Sequence, residues 1–347
     1  MATVIFTGVS SRSIENWYPA LQVLKSRGHN VKALLMPHLP DPDSRKLDTH
    51  GYEQIGLLPI TDHLSRIGPA QSRSIAIQAR DIILAAEPDM VLLTTCHAGP
   101  EAELACMFMD DTARPPIVGC QHGFVQNWEV YWNNFNFDYF LVFGRYFLKF
   151  TPNERREQVI AAGLSKLDSI VAMTRPDFVC DRRPILFAAQ TIFTEELRRT
   201  FVELAAIAGR EVFVRPHPEF RESFRELALH FRFLDVTKPL ETQMSLCSLL
   251  VTTGSTAALE ALAAGMPTVV LPEQRGHFYQ DLGIVTDRMD ATDILRLASL
   301  QSGSEWCSRV QDFLQQATGS CHADRSVLCA DRMESILNKP RRPPRLA

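Results

Sequence analysis

The 347-residue chain contains no apolar stretch near the roughly 20 residues that a membrane-spanning helix needs. Its start, MATVIFTGVSS, has neither the basic residues nor the long apolar run of a secretory leader, so a cytoplasmic protein is expected. Eight cysteines are present, but no two stand in a C-x-x-C pair and most lie in apolar runs. That argues against zinc or a disulfide framework and for buried thiols in a reducing compartment. Lys and Arg number 36 against 40 Asp and Glu, a net charge of −4, so no global positive field draws in nucleic acid. The turn TGVSSRS (7–13) lacks G-x-G-x-x-G, which disfavours a dinucleotide cofactor. Metal-ligand spacing is missing too. Asp41 and Asp43 stand in a proline loop, and His97 beside Cys96 has no paired ligands. Neither a cofactor nor a metal is expected.

The chain is rich in apolar residues, with 46% hydrophobic against 22% charged, enough for a large core over a length that suits two domains. Short Val/Ile/Leu runs at 3–8, 31–36, 89–95, 116–120, 138–144 and 159–163 alternate with helical segments near 14–27, 71–86 and 100–110. Such runs, separated by helices, predict parallel strands buried on both faces. A polar, proline-bearing stretch at 175–184 reads as a linker. The alternation then restarts, with strands at 185–190, 211–216, 231–235, 249–254 and 267–272 and helices between them at 194–208, 219–230, 240–247 and 255–264. The fold class predicted is α/β, with two doubly wound Rossmann-like domains at 1–175 and 176–335. A basic, proline-rich tail at 336–347 follows, with Lys339, Arg341, Arg342 and Arg345 among prolines. It reads as a solvated tail, or as a weak dock on anionic lipid at about 1 kcal/mol per basic residue.

In doubly wound sheets ligands bind beyond the carboxyl ends of strands, so residues just after each strand carry most of the information. The segment LLVTTGSTAALEALAAGMPTVVLP (249–272) ends a strand in Gly254-Ser255-Thr256 and starts a helix at once. Gly254 permits a tight turn and close backbone approach, and Ser255 and Thr256 offer hydroxyls to an anion or cap the helix. Glu260 is the sole charge between Leu249 and Glu273. Buried there, it needs a partner, such as the diol of a ribose; the alternative is a solvent-facing stripe. In REVFVRPHPEF (210–220), Pro216 and Pro218 hold His217 at a strand end beside the permanent cation Arg215, a pair suited to phosphate or to a phosphate leaving group. Gln190 and Thr191 follow another strand of the same series. In the first domain, Gln121-His122-Gly123 follows the strand at 116–120. There His122 is a candidate general base, and Trp128 among asparagines suits either sugar stacking or a domain interface.

Taken together, QHG, AGLSKLD (162–168), ILFAAQT, RPHP, GST and RGHFY (275–279) resemble, in order and spacing, motifs of the GT-B superfamily of nucleotide-sugar transferases. The resemblance covers residues 115–285. Within it the chain is similar to bacterial surface-polymer enzymes: CDP-glycerol glycerophosphotransferases and capsule-type CMP-sialic acid or Kdo transferases. It departs from the teichoic-acid enzymes in carrying Thr253-Gly254-Ser255-Thr256 in place of Asp-Tyr-Ser-Ser, and SKLD lacks their proline.

The resemblance implies a GT-B-like fold with an interdomain cleft, a nucleotide donor of CMP or CDP type as substrate, and metal-independent transfer of a sugar or polyol phosphate to a bacterial surface glycan or lipid-linked glycan acceptor. His122 would be the base. His217 and Arg215 would neutralise the donor phosphates, Ser255 and Thr256 would bind them, and Glu260 would hold the ribose. Gln121, Gly123 and Trp128 would lie on the acceptor side. Two alternatives stand beside this: an isomerase like the UDP-N-acetylglucosamine 2-epimerases, using Glu101 and Glu103, and a non-catalytic glycan-binding module.

Overall fold

The computed structural model describes residues 1–9, 14–37, 51–60, 67–96, 98–109, 111, 114–123, 128–133, 135–170, 181–189, 194–217, 231–236, 238–272, 274–322 and 324–339, with the side chains of 274–277 outside the description. The expectations for Asp41, Asp43, His97, Gln190, Thr191, the helix at 219–230 and the tail from 340 onward fall outside these residues.

The chain forms two compact units. One is built from Met1–Gly123, Asn127–Ser169 and the chain from Gln316 onward, the other from Ile170–Gln315. Each centres on an all-parallel sheet, as the buried apolar runs predict.

In the first unit the strands are β1 (Thr3–Gly8), β2 (Asn30–Leu35), β3 (Glu53–Leu57), β4 (Met90–Leu93), β5 (Ile117–Cys120), β6 (Tyr139–Val142) and β7 (Val159–Ala161). Their order is β3-β2-β1-β4-β5-β6-β7, so the winding reverses between β1 and β4. Helices α1 (Tyr18–Ser26), α2 (Pro69–Ala85), α3 (Gly99–Met109) and α4 (Glu129–Asn133) fall between strands. Strand β3 carries no apolar run. It is an edge strand, partly exposed along its length, and pairs with β2 through a register shift between Ala33 and Leu34.

In the second unit the strands are β8 (Ile185–Ala188), β9 (Val212–Arg215), β10 (Arg232–Phe233), β11 (Leu249–Thr252) and β12 (Thr268–Val270), in the order β10-β9-β8-β11-β12. Helices α5 (Glu195–Ala208), α6 (Leu240–Met244), α7 (Ala257–Ala263) and α8 (Ala291–Ser299) cover the sheet. Side chains alternate across it. Leu249 and Val251 pack with Leu197 and Phe201 of α5 and Ile294 of α8, while Leu250 packs with Met244 of α6 and Ala257 and Ala261 of α7. The small residues of α7 let that helix lie close to the sheet.

The C-terminal part departs from expectation. Helix α9 (Gly303–Thr318) spans the division between the units, and α10 (Arg325–Leu337), expected in the second domain, packs on α1 and on the turn at Ser165–Ser169 in the first. The return is locked by backbone contact. A Cβ on Gly144 would sit 2.2 Å from the Gln316 carbonyl oxygen, and one on Gly319 would sit 2.8 Å from Gly163 Cα.

Asp168, the last residue of AGLSKLD, holds the start of α10. Its carboxylate accepts from Ser326 N–H and Ser326 Oγ, both at 2.6 Å, from Arg325 N–H at 3.2 Å, and from the Arg325 guanidinium at 3.3 Å. Arg325 is 3% exposed, and burial pulls its guanidinium below the ordinary value while Asp168 opposes that shift. Removing the carboxylate leaves a buried cation without its counter-charge. Asp168→Ala is expected to cost about 3 kcal/mol of unfolding free energy. Asp331→Ala, which breaks only the exposed pair with Arg27, is expected to cost about 1 kcal/mol or less. Urea titration of the two variants measures the difference.

Candidate active site

Strand register sets the site in the second unit. Arg215 of β9 pairs with Ala188 of β8, Ala188 with Thr252 of β11, and Thr252 with Val270 of β12. The four strands therefore end in one row. His217 lies two residues past Arg215 and Gly254 two past Thr252, at strand positions about 10 Å apart along the carboxyl edge. That edge is where open parallel sheets bind ligands. His217 is half-buried behind buried Pro216.

The turn after β11 is tightly specified. Gly254 has φ 89°, a backbone region that side-chain-bearing residues avoid. Thr252 Oγ1 donates to the Ala188 carbonyl at 2.8 Å and ties the two strand ends together. Thr253 is fully buried, and its hydroxyl has no hydrogen-bond partner among the described residues. Ser255 Oγ accepts from Ala257 N–H at 3.0 Å. The Ser255 carbonyl accepts from Ala258 N–H at 3.1 Å and from the Tyr279 hydroxyl at 2.7 Å. Thr256 is half-buried at the start of α7, and Glu260 is buried within that helix at 7% exposure.

Arg215 is placed differently from the sequence expectation. Its terminal nitrogens donate to the carbonyls of Lys238 (2.8 Å), Val236 (3.1 Å) and Asp235 (3.4 Å) and to Gln243 Oε1. The guanidinium fastens the carbonyls of Asp235, Val236 and Lys238 and the Gln243 amide of α6 to β9.

In the first unit, Gln121 and His122 follow β5 at the carboxyl edge. His122 Nδ1 lies 2.9 Å from the Tyr131 hydroxyl, and the His122 carbonyl accepts from Asn16 Nδ2 at 2.8 Å. Asn16 is itself held, its carbonyl accepting from Ser165 Oγ at 2.7 Å. Three distant segments therefore fix one histidine. Tyr131 is fully buried, and that burial pushes its hydroxyl pKa well up, so it stays protonated. The pairing of Tyr131 with His122 needed the fold.

Two acceptor-side expectations change. Gln121 is fully buried. It accepts from Phe143 N–H at 3.0 Å and donates to the Gly123 carbonyl at 3.0 Å, so its amide completes the sheet edge and is not offered to an acceptor. Trp128 is 7% exposed, with its ring stacked on Phe150 (centroids 5.3 Å apart, 3° from parallel) and beside Trp132 at 6.1 Å. It is core packing, with no face left for a sugar. A Cβ on Gly123 would meet nothing within 4 Å among the described residues, and its φ lies outside the glycine-favouring range. That position does not require glycine locally.

The carboxylates considered for isomerase chemistry separate clearly. Glu103 is half-buried on α3. Glu101 is fully buried beneath the ends of β1 and β4, hydrogen-bonded to Thr7 Oγ1 and accepting from Thr95 N–H at 2.5 Å. Burial raises its pKa from 4.5 to about 7, outweighing the opposing hydrogen bonds from Thr7, Thr95 and Thr94. It clasps the first turn of α3 to the sheet and is not presented to a substrate. Among the described residues, no group of three or more His, Cys, Asp or Glu could hold a metal ion, and no helix is long and apolar enough to cross a membrane.

The fold is GT-B-like. The glycotransferase of kitacinnamycin is similar at 16% identity over 97% of this chain and 99% of its own, with a TM-score of 0.65. The S. aureus MnaA–UDP co-structure is similar at 15% identity over 99% of both chains, with a TM-score of 0.68. A protein described as a "putative UDP-N-acetylglucosamine 2-epimerase from Listeria monocytogenes" is similar at 14% identity over 99% of this chain and 98% of its own, with a TM-score of 0.67. Residues 174–276 match the family model described as "Putative glycosyltransferase (DUF6716)". No curated protein matches. The matched segment contains His217 and the whole turn from Thr253 to Thr256.

Glu101 yields a pH test. With its folded pKa raised, the native state holds the proton more tightly than the unfolded chain between pH 4.5 and about 7. Its contribution to stability is therefore full below pH 4.5 and falls as pH rises to about 7, a loss of about 3 kcal/mol. Glu101→Gln, which mimics the protonated form, is expected to remove that slope and to be more stable than the parent at pH 8. Denaturant unfolding at pH 5, 6, 7 and 8 measures it.

Proposed function

We propose that the protein is a glycosyltransferase that takes a sugar from a nucleotide-activated donor and passes it to a hydroxyl of a glycan acceptor. The observation that carries this reading is the Thr253–Thr256 turn. It stands at the carboxyl edge of a parallel sheet, is shaped by a left-handed glycine, contains a buried hydroxyl lacking a partner among the described residues, and falls inside the segment similar to a glycosyltransferase family model. Pyrimidine nucleoside diphosphates are the favoured donors, because neighbouring structures are named as complexes with UDP and with thymidine diphosphate. Cytidine donors remain part of the test.

In this reading the acceptor oxygen attacks the anomeric carbon of the donor sugar. The bond from that carbon to the phosphate oxygen breaks, and its electron pair leaves with the nucleotide. His217 and the backbone and hydroxyl groups of Ser255 and Thr256 stabilise the departing phosphate, a preorganised electrostatic arrangement. Glu260 meets the ribose. The acceptor proton goes to His122 Nε2, with Nδ1–H donated to Tyr131 so that the ring is held in the basic tautomer.

A second reading, isomerisation of a free nucleotide sugar, is favoured only by the epimerase structures among the neighbours. The internal bonding of Glu101 counts against it.

A thermal-shift panel of CMP, CDP, UDP, TDP, GDP and ADP tests the donor. At least one nucleotide is expected to raise the melting temperature, because a ligand bound only by the native state stabilises it. His122→Ala is expected to leave that shift intact and to cut transfer about 100-fold. No shift with any nucleotide would sink the proposal. Conversion of UDP-N-acetylglucosamine without acceptor, followed at C2 by NMR, would favour the isomerase instead.

A further inference from the structure

Tyr279 lies in the 3-10 helix Gln274–Leu282, 24 residues beyond the Ser255 carbonyl to which it donates. Both groups are buried: Tyr279 is fully buried, and Ser255 is 5% exposed. The phenol ring packs on Phe313 of α9, with centroids 5.9 Å apart. Packing fixes where the hydroxyl points, and the 2.7 Å bond fixes what it holds.

The held atom is the pivot of the turn. The Ser255 carbonyl has two lone pairs, and both are used, one by Ala258 N–H and the other by Tyr279. A peptide unit is planar, so fixing this carbonyl also fixes the Thr256 N–H on the opposite edge of the same unit. Gly254, just before it, has φ 89° and few local restraints of its own. The helix behind it is only seven residues long and offers little rigidity. Within the turn, the 255–256 peptide is restrained by Ala258 N–H on the Ser255 carbonyl and by Ala257 N–H on Ser255 Oγ, and the Tyr279 hydroxyl adds a restraint from outside it.

We infer that Tyr279 is a positioning residue for the donor site, holding the Ser255–Thr256 peptide in the orientation that receives the nucleotide phosphates. The inference rests on the donor reading above and extends it: the segment after β12 belongs to donor recognition without touching the donor. Tyr279 acts on donor affinity and leaves acceptor use alone.

The test uses the full chain and two variants. Tyr279→Phe keeps the ring and removes the hydroxyl. Phe313→Leu keeps the hydroxyl and loosens the packing. The probe is whichever nucleotide of the panel binds the parent, and the readouts are its Kd by calorimetry, the melting temperature without ligand, and the donor and acceptor KM values. Loss of one buried hydrogen bond corresponds to a weakening of about three- to tenfold. Tyr279→Phe is expected to raise the nucleotide Kd and donor KM by that factor, with acceptor KM unchanged. Phe313→Leu is expected to lower the melting temperature more than Tyr279→Phe does while shifting Kd less. Equal nucleotide Kd in the parent and Tyr279→Phe overturns the positioning role alone. So does a Kd that follows melting temperature across both variants, which would make Tyr279 a stability residue. Absence of nucleotide binding by the parent overturns the donor reading and this inference with it.

Discussion

Every strand in both sheets runs parallel to its neighbours, and the rest of the structure depends on that pairing. A parallel pair cannot be closed by a tight hairpin, so the chain must cross back to the starting edge after each strand. All amino ends then fall on one edge and all carboxyl ends on the other. The backbone groups at the carboxyl edge have no further ladder partner and must be satisfied by turns, side chains or ligand. The turn Thr253–Thr256, His217 and His122 all stand at such an edge. Their placement follows from register and does not need any specific contact between them.

The same constraint explains how much of the molecule was legible in the sequence. Strands buried on both faces are continuous apolar runs, and β1, β4, β5, β8, β9 and β11 could be read on that basis. Strand β3 could not, because an edge strand needs only one apolar neighbour and Glu53–Leu57 carries none of the pattern. The 3-10 turns were also silent, since they have too few residues for a period. Strand ends were therefore well located, while the connections around them were not.

Side-chain roles divide along a different line. Gly254 was legible because a positive φ leaves a mark in residue type. Arg215 and Gln121 were misread for a common reason. A polar residue at a strand end faces both the ligand side and the unsatisfied backbone of its own sheet, and residue type does not say which it serves. Arg215 serves the 235–238 carbonyls, and Gln121 serves the Phe143 amide. Trp128 was misread because an aromatic near polar neighbours in sequence can be stacked on rings distant in sequence, here Phe150. Tyr131, Asn16 and Tyr279 act across 9, 106 and 24 residues respectively, and no local pattern encodes such pairs.

Asp168 gripping the start of α10 bears on the order in which the molecule is made. The first unit draws on residues before Ile170 and after Gln315, whereas the second is drawn chiefly from Ile170–Gln315. During synthesis the later-encoded unit therefore has all its strands before the earlier one has its last helix. Asp168 emerges long before Arg325 and Ser326, the partners that hold it in the folded chain. Domains generally fold as units as they emerge. Here the N-terminal half waits for the C-terminal residues to close it, and every strand of the second unit precedes in the chain the helix that completes the first.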